Sequence, residues 1–314
     1  MLIRARLVSR AIGALATLIA LAACAVGCAA RPTADPGRIG VVAAFYPLQF
    51  LVERIGGDRV HVTNLVKPGA EPHDLELSPR QMAQVADARL VVYLRGFQPA
   101  VDEAVDLEAS DRAVDGLAAV ATRQTTEEVG NDPTTPRGTG AAVVDPHVWL
   151  DPARYARIAD AVAARLVAID PPNAERYRRQ LAHLRRDLDA LDGEYRTGLA
   201  HCARRDIVTS HAAFGYLADR YHLSQVAITG LTPEQEPSPQ RLAEVARVAR
   251  STGTTTVFFE TLVSPKVAEA LAGEVGARAE VLNPIEGLPP GSTGNYLSVM
   301  RDNLRALRQA LGCS

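Results

Sequence analysis

Short apolar runs alternate with stretches of helical period along most of this chain. Residues 39–45 (IGVVAAF) read as a buried strand, 48–55 as a short helix and 60–66 (VHVTNLV) as a second, alternating strand. Ser78-Pro79-Arg80-Gln81 then supplies an N-cap, a proline at the first helical position and a reciprocal glutamine. A third strand follows at 90–94 (LVVYL). From 122 to 140 the apolar content disappears in favour of Thr, Gly, Pro and acids, which predicts a flexible loop. Beyond Asp151-Pro152 the pattern turns helical. Tyr177, Leu181, Leu184, Leu188, Leu191, Tyr195 and Leu199 recur at spacings of three and four, which predicts one long amphipathic helix of about 45 Å. Strand patterns resume at 206–210, 225–229, 255–260 and 278–283, each followed by a helix, two of them announced by Ser238-Pro239 and Ser264-Pro265.

Strand–helix alternation of this kind implies parallel sheets covered by helices. The expected fold is α/β: two Rossmann-like lobes, 39–170 and 203–314, joined by a rigid linking helix at 171–202.

The first residues have a different character. Arg4, Arg6 and Arg10 precede an apolar stretch, 11–23, that is too short to span a bilayer and reads as an export signal, 1–23. It ends in Leu21-Ala22-Ala23-Cys24, which resembles a bacterial lipobox; Ala25-Val26-Gly27-Cys28 is the alternative, and an ordinary secretory signal cut near Ala30 is a third reading. Residues 24–38 are then a Pro-rich tether, and the protein is expected outside the cytoplasm, anchored to the cell membrane as a lipoprotein. In that oxidising compartment Cys202 and Cys313 are expected to form a disulfide. A net charge of -2 argues against a nucleic-acid surface.

Three histidines sit at the ends of apolar runs, in EPHDLE (His73), DPHVWLDP (His147) and TSHAAFGY (His211), and a fourth run, AEVLNPIEG, ends in Glu286. Three imidazoles and a carboxylate complete a four-coordinate set for a borderline-soft cation, zinc above all. Taken singly, each has a plainer reading. His73 could face solvent in a proline-bracketed turn, His147 could be packed beside Trp149, His211 could cap a helix, and Glu286 could lie on a surface turn. His61, His183, His201 and His222 have no comparable setting. All four candidates follow an apolar segment, two in each half, which points to the cleft between lobes. There is no HExxH or other pairing of a metal with a general base, so a zinc hydrolase is the weaker reading and the chain is expected not to be an enzyme.

FYPL (45–48), EPHDLELSP (71–79), DPHVWLDP (145–152), TSHAAFGYLADRY (209–221), FFETLVSPKVAEALAGEVGA (258–277) and LNPIEGL (282–288) together closely resemble the zinc and manganese solute-binding lipoproteins of bacterial ABC importers. The resemblance covers nearly the whole mature chain, in the family's order. It implies two α/β lobes on a long helix, one metal ion in the cleft as cargo, and an ABC permease with its ATPase as partners of a monomeric carrier. His73, His147 and His211 match the family's imidazole positions and Glu286 its C-terminal carboxylate. In manganese members the third position resembles a carboxylate and the fourth is usually Asp, whereas this chain has His211 at the third, so the cargo expected is Zn2+ with manganese as the alternative. An adhesin reading, borrowed from labels attached to the family, has no sequence feature of its own. The family's zinc members often carry a His-rich loop, whereas 122–140 contains no histidine. Glu260, Asp145, Asp74 and Asp151 are the candidates to accept the imidazoles' second N–H, and Trp149 and Phe214 the residues to keep water from the cleft.

Overall fold

The computed structural model describes residues 37–126 and 142–314. The signal at 1–23, Cys24, Cys28, all but the end of the tether, and most of the 122–140 loop with Glu127, Glu128 and Asp132 lie outside those residues.

The first lobe is a four-stranded sheet in the order β2-β1-β3-β4, built from β1 (Ile39–Ala43), β2 (Val60–Asn64), β3 (Leu90–Tyr93) and β4 (Ala113–Asp115), all parallel. Helices α1 (Tyr46–Gly56), α2 (Pro79–Asp87) and α3 (Pro99–Glu108) make the crossovers. Each starts with proline in its first turn, where the missing N–H costs no hydrogen bond. The capping box read from the sequence is formed: Ser78 N–H donates to Gln81 Oε1 at 2.9 Å, and Gln81 N–H to Ser78 Oγ at 3.4 Å. Within the expected loop, 124–126 is instead strand β5 (Gln124–Thr126), paired antiparallel with β6 (Ala142–Val144). Three-residue strands of this kind leave too short an alternation to read.

Helix α4 (Pro152–Ile169) is capped by Asp151, whose carboxylate accepts from Ala153 N–H at 2.9 Å. The linking helix α5 (Ala174–Gly198) is shorter than expected, because the prolines at 171 and 172 form a separate 3-10 turn, Pro171–Asn173. Its length is about 37 Å at 1.5 Å per residue. Tyr177, Leu184, Leu188, Leu191 and Tyr195 form its buried stripe. The outer face is tied down by Arg185–Asp160 at 2.6 Å, Arg54–Asp187 at 2.6 Å and Arg301–Glu194 at 2.9 Å.

The second lobe repeats the plan with β7 (Asp206–Thr209), β8 (Ser224–Ala227), β9 (Thr256–Phe259) and β10 (Arg278–Val281), again all parallel, in the order β10-β9-β7-β8. Its helices are α6 (Gly215–Tyr221), α7 (Pro239–Ser251), α8 (Lys266–Val275) and α9 (Tyr296–Leu311). Ser238 caps α7 as expected, accepting from Arg241 N–H at 3.1 Å; Ser264 does not cap α8, which begins one residue later behind Pro265. One apolar core runs from the first sheet through α4 and α5 to α9 and one face of the second sheet. A second, smaller core lies between that sheet's other face and α7 and α8, around Val208, Val245, Val257 and Leu271. Cys202 and Cys313 are disulfide-bonded, fastening the end of α9 beside the end of α5. Among the described residues no helix is long and apolar enough to cross a membrane.

Candidate metal centre

His73, His147, His211 and Glu286 meet in the interior, each 5 % exposed or less. Glu286 Oε1 lies 3.4 Å from Nε2 of His73, 3.3 Å from Nε2 of His147 and 3.2 Å from Nε2 of His211, and the last two nitrogens are 3.3 Å apart. Donors placed 2.0–2.1 Å from a tetrahedral ion are separated by about 3.3–3.4 Å. These four separations therefore match a zinc ion's coordination edges, and all four donor atoms lie within 4.8 Å of one another. The second carboxylate oxygen, Glu286 Oε2, is buried without a hydrogen-bond partner, which is costly unless a cation compensates it. Among the described residues this is the group of His, Cys, Asp and Glu side chains arranged to share an ion.

Each donor is placed by local chain chemistry. In the second sheet, β7 and β9 are the adjacent strands at which the order reverses, the edge where ligands gather in open parallel sheets. His211 follows β7 and Glu260 follows β9, so topology alone brings them side by side. Glu260 Oε1 lies 2.7 Å from Nδ1 of His211 and accepts from Ser210 Oγ at 2.5 Å, which leaves Nε2 facing the centre. The His211 carbonyl is fixed by Thr209 Oγ1 at 2.8 Å and Gln225 Nε2 at 3.0 Å. His211 precedes the short turn Ala212–Phe214 but its ring makes no cap.

On the first-lobe side, Asp145 Oδ1 accepts from the backbone N–H of His147 at 3.0 Å and lies 2.9 Å from its Nδ1. Asp145 Oδ2 is held by Arg123 Nη1 at 3.3 Å. Gly215 abuts this pair closely enough that a Cβ would come 2.9 Å from Asp145 Oδ2. His73 sits in the loop after β2, with its N–H donated to Glu71 Oε2 at 2.8 Å and its ring set edge-on to Phe97 at 4.6 Å.

Two of the carboxylates suggested as imidazole partners do other work. Asp74 is exposed. Asp151 is fully buried, but it caps α4 and pairs with Arg154 and with Arg220, the latter at 3.3 Å. Trp149 is fully buried and does more than exclude water: its Nε1–H donates to the Pro284 carbonyl at 2.7 Å, tying the start of α4 to the loop that carries Glu286. Phe214 is 2 % exposed. His61, His183, His201 and His222 are all on the surface.

Glu71 was not legible as a site residue. It packs beside the centre, with Oε1 4.0 Å from His73 Nε2, and its pKa is pushed up to about 9 by burial, by a hydrogen bond with Glu234 and by the charge of Glu286. The Glu71–Glu234 encounter joins segments far apart in sequence, so no local signal announces it. Phe97 and Arg123 were missed for the same reason.

The charges interlock. Burial alone would raise the Glu286 carboxyl, but the charge of His211 and hydrogen bonds with His147, His211 and His73 hold it well below its ordinary range. Burial would likewise lower His211; Glu260 and Glu286 outweigh that and raise it well above the usual value. In His147 burial is opposed by hydrogen bonds with Asp145 and Glu286, and the net direction is up. The surroundings therefore favour the ionised form of Glu286 and the protonated forms of His147 and His211, so a cation binding to these groups competes with protons.

Two lobes with parallel sheets, spanned by one long helix and closing on a buried His3Glu cluster, define a cleft-type binding protein for a transition-metal ion. The profile of the family described as zinc-uptake complex component A, periplasmic, matches residues 41–310, and the chain belongs to that family. It is 33 % identical over 281 residues to the high-affinity zinc uptake system protein ZnuA of Bacillus subtilis, covering 87 % of this chain and 88 % of that one. It is 34 % identical over 291 residues to the zinc-binding lipoprotein AdcA of Streptococcus pneumoniae, covering 90 % of this chain but 58 % of that protein's length. Among solved structures, Zn(II)-bound AdcA of the same species superposes with a TM-score of 0.73 at 32 % identity, over 88 % of this chain and 58 % of that one. The laminin-binding protein Lmb of Streptococcus agalactiae, titled a bifunctional protein with adhesin and metal transporting activity, gives 0.76 at 30 % identity, over 87 % and 99 %. The family is one of solute-binding components, not of enzymes.

Proposed function

We propose that this protein captures Zn2+ outside the cytoplasm through His73, His147, His211 and Glu286 and delivers it to the permease of an ABC importer. The observation that carries the reading is that Glu286 Oε1 lies 3.2–3.4 Å from all three imidazole nitrogens and those of His147 and His211 lie 3.3 Å apart, four separations that match the edges of a tetrahedral zinc site. Three imidazoles and one carboxylate oxygen are soft enough to prefer zinc to manganese. Four protein donors fill the shell of a structural-type site and leave no position for a reactive water, which supports carriage over catalysis. The lobes divide at 39–170 and 203–314 about the linking segment 171–202. Attachment to the membrane is through a lipid on Cys24, with Cys28 the alternative, and the protein works as a monomer; the lipobox-like sequence and the lipoprotein relative support the anchor.

Elemental analysis of the purified protein, made without a metal-binding tag, tests the reading. The expected result is one zinc per chain, lost in His147→Ala and His211→Ala. A protein that takes manganese in preference, or no metal at all, overturns it.

A further inference from the structure

Glu286 stands on an irregular loop whose preceding residues, 282–285, are pinned at each backbone N–H they have. Leu282 N–H donates to the Phe259 carbonyl at 2.9 Å, and Ile285 N–H donates to Asn283 Oδ1 at 2.7 Å. Asn303, 2 % exposed on α9, closes a reciprocal pair with Asn283: its Oδ1 accepts from Asn283 N–H at 2.9 Å while its Nδ2 donates to the Asn283 carbonyl at 2.6 Å. Trp149 takes the Pro284 carbonyl from the other lobe. Inside this frame Ile285 is fully buried at φ 62°, a left-handed conformation that a β-branched residue adopts only when its surroundings impose it. The turn sets a single oxygen, Oε1, within 3.2–3.4 Å of all three imidazoles, while Oε2 makes no hydrogen bond.

We propose that Asn303, acting with Trp149 through the strained turn at Ile285, is a specificity-determining positioning residue: it restricts Glu286 to one metal-facing oxygen, and so favours a four-coordinate ion such as zinc over an ion such as manganese that takes more oxygen donors. The inference rests on the zinc reading of the site. A loosened loop lets the second carboxylate oxygen or a water join the shell, and oxygen donors added in this way suit the harder ion. Only an amide fits position 303, since a carboxylate cannot donate to the Asn283 carbonyl and an apolar side chain would leave two buried backbone groups unpaired.

The test compares the full-length protein with Asn303→Asp and Trp149→Phe, measuring zinc and manganese affinities by chelator competition and the visible absorption of the cobalt(II) form. The ratio of zinc to manganese affinity should fall by about tenfold or more. The intense cobalt band of tetrahedral coordination should weaken in the same variants. Should Asn303→Asp fail to fold, Trp149→Phe decides, since it removes one N–H and keeps the aromatic ring. Affinities for both ions that fall by the same factor, or a ratio and cobalt band unchanged in a folded variant, overturn the proposal while leaving the zinc reading intact. A wild-type protein that holds no zinc overturns both.

Discussion

Glu260 and His211, forty-nine residues apart, are joined at 2.7 Å through the imidazole Nδ1, and Glu260 is itself steadied by Ser210. This contact fixes which nitrogen of His211 faces the cluster and raises the basicity of the ring. Glu260→Ala should weaken zinc binding by about tenfold to a hundredfold. Competition titration checks this, and an unchanged affinity would mean that Glu260 serves Ser210 and the sheet edge alone.

Zinc uptake should release protons. His211 and His147 are both raised above the ordinary imidazole value, His211 the more strongly, so they bind protons more readily than free imidazoles and an incoming ion competes with those protons. Affinity is then expected to rise with pH and to fall as solutions become acidic. Calorimetry in buffers of different ionisation enthalpy reads the proton count directly. A binding heat independent of buffer would contradict the charge pattern described here.

Asp192 on α5 supplies a pH test away from the metal. Burial would raise its carboxyl, but hydrogen bonds from Arg220 at 2.5 Å and Tyr221 at 2.9 Å outweigh that and lower it. A depressed carboxylate stabilises the native state above its unfolded value, about 4 for aspartate, and that contribution is lost as pH falls through the lower native value. Asp192→Asn should destabilise the protein at neutral pH by about 1–2 kcal/mol, since the partly exposed Arg220 loses one charged partner and keeps Asp151. The difference from wild type should shrink in acid. Denaturant titrations at several pH values give the answer.

The disulfide closes a loop of sequence separation 111. In the chain-entropy account its removal costs about 4–5 kcal/mol. Cys202→Ala with Cys313→Ala is expected to lower the melting temperature markedly, while zinc stoichiometry at low temperature stays at one per chain. Loss of zinc from the folded double variant would show that α9 must be fastened for Glu286 to reach the centre.

Much of this architecture is written locally in the chain. Alternating apolar runs at 39–45 and 206–210, proline-led helix starts such as Ser78-Pro79 and Ser238-Pro239, and the leucine–tyrosine stripe of α5 are short-range patterns. Their period fixes strand or helix before any long-range contact forms. The four residues that meet at the centre were visible for a related reason: each is an isolated chemical group beside an apolar run, and for His211 the order of parallel strands fixes which end faces the cluster. Position among neighbours was not visible. Asp151 read as an imidazole partner and proved to cap α4, because a buried aspartate before a proline satisfies backbone N–H groups first. Trp149 read as a water barrier, and its bond to Pro284 depends on the two lobes meeting. Glu71 beside Glu234, Arg123 on Asp145 and Asn303 on Asn283 are pairings of segments distant in sequence. The sequence alone determined the α/β class, the linking helix and the chemical identity of the cluster, since these follow from local period and side-chain type. Which groups orient those donors, and the left-handed turn that presents Glu286, were decided by tertiary packing, because hydrogen bonds between remote segments exist only once the sheets and α9 have come together.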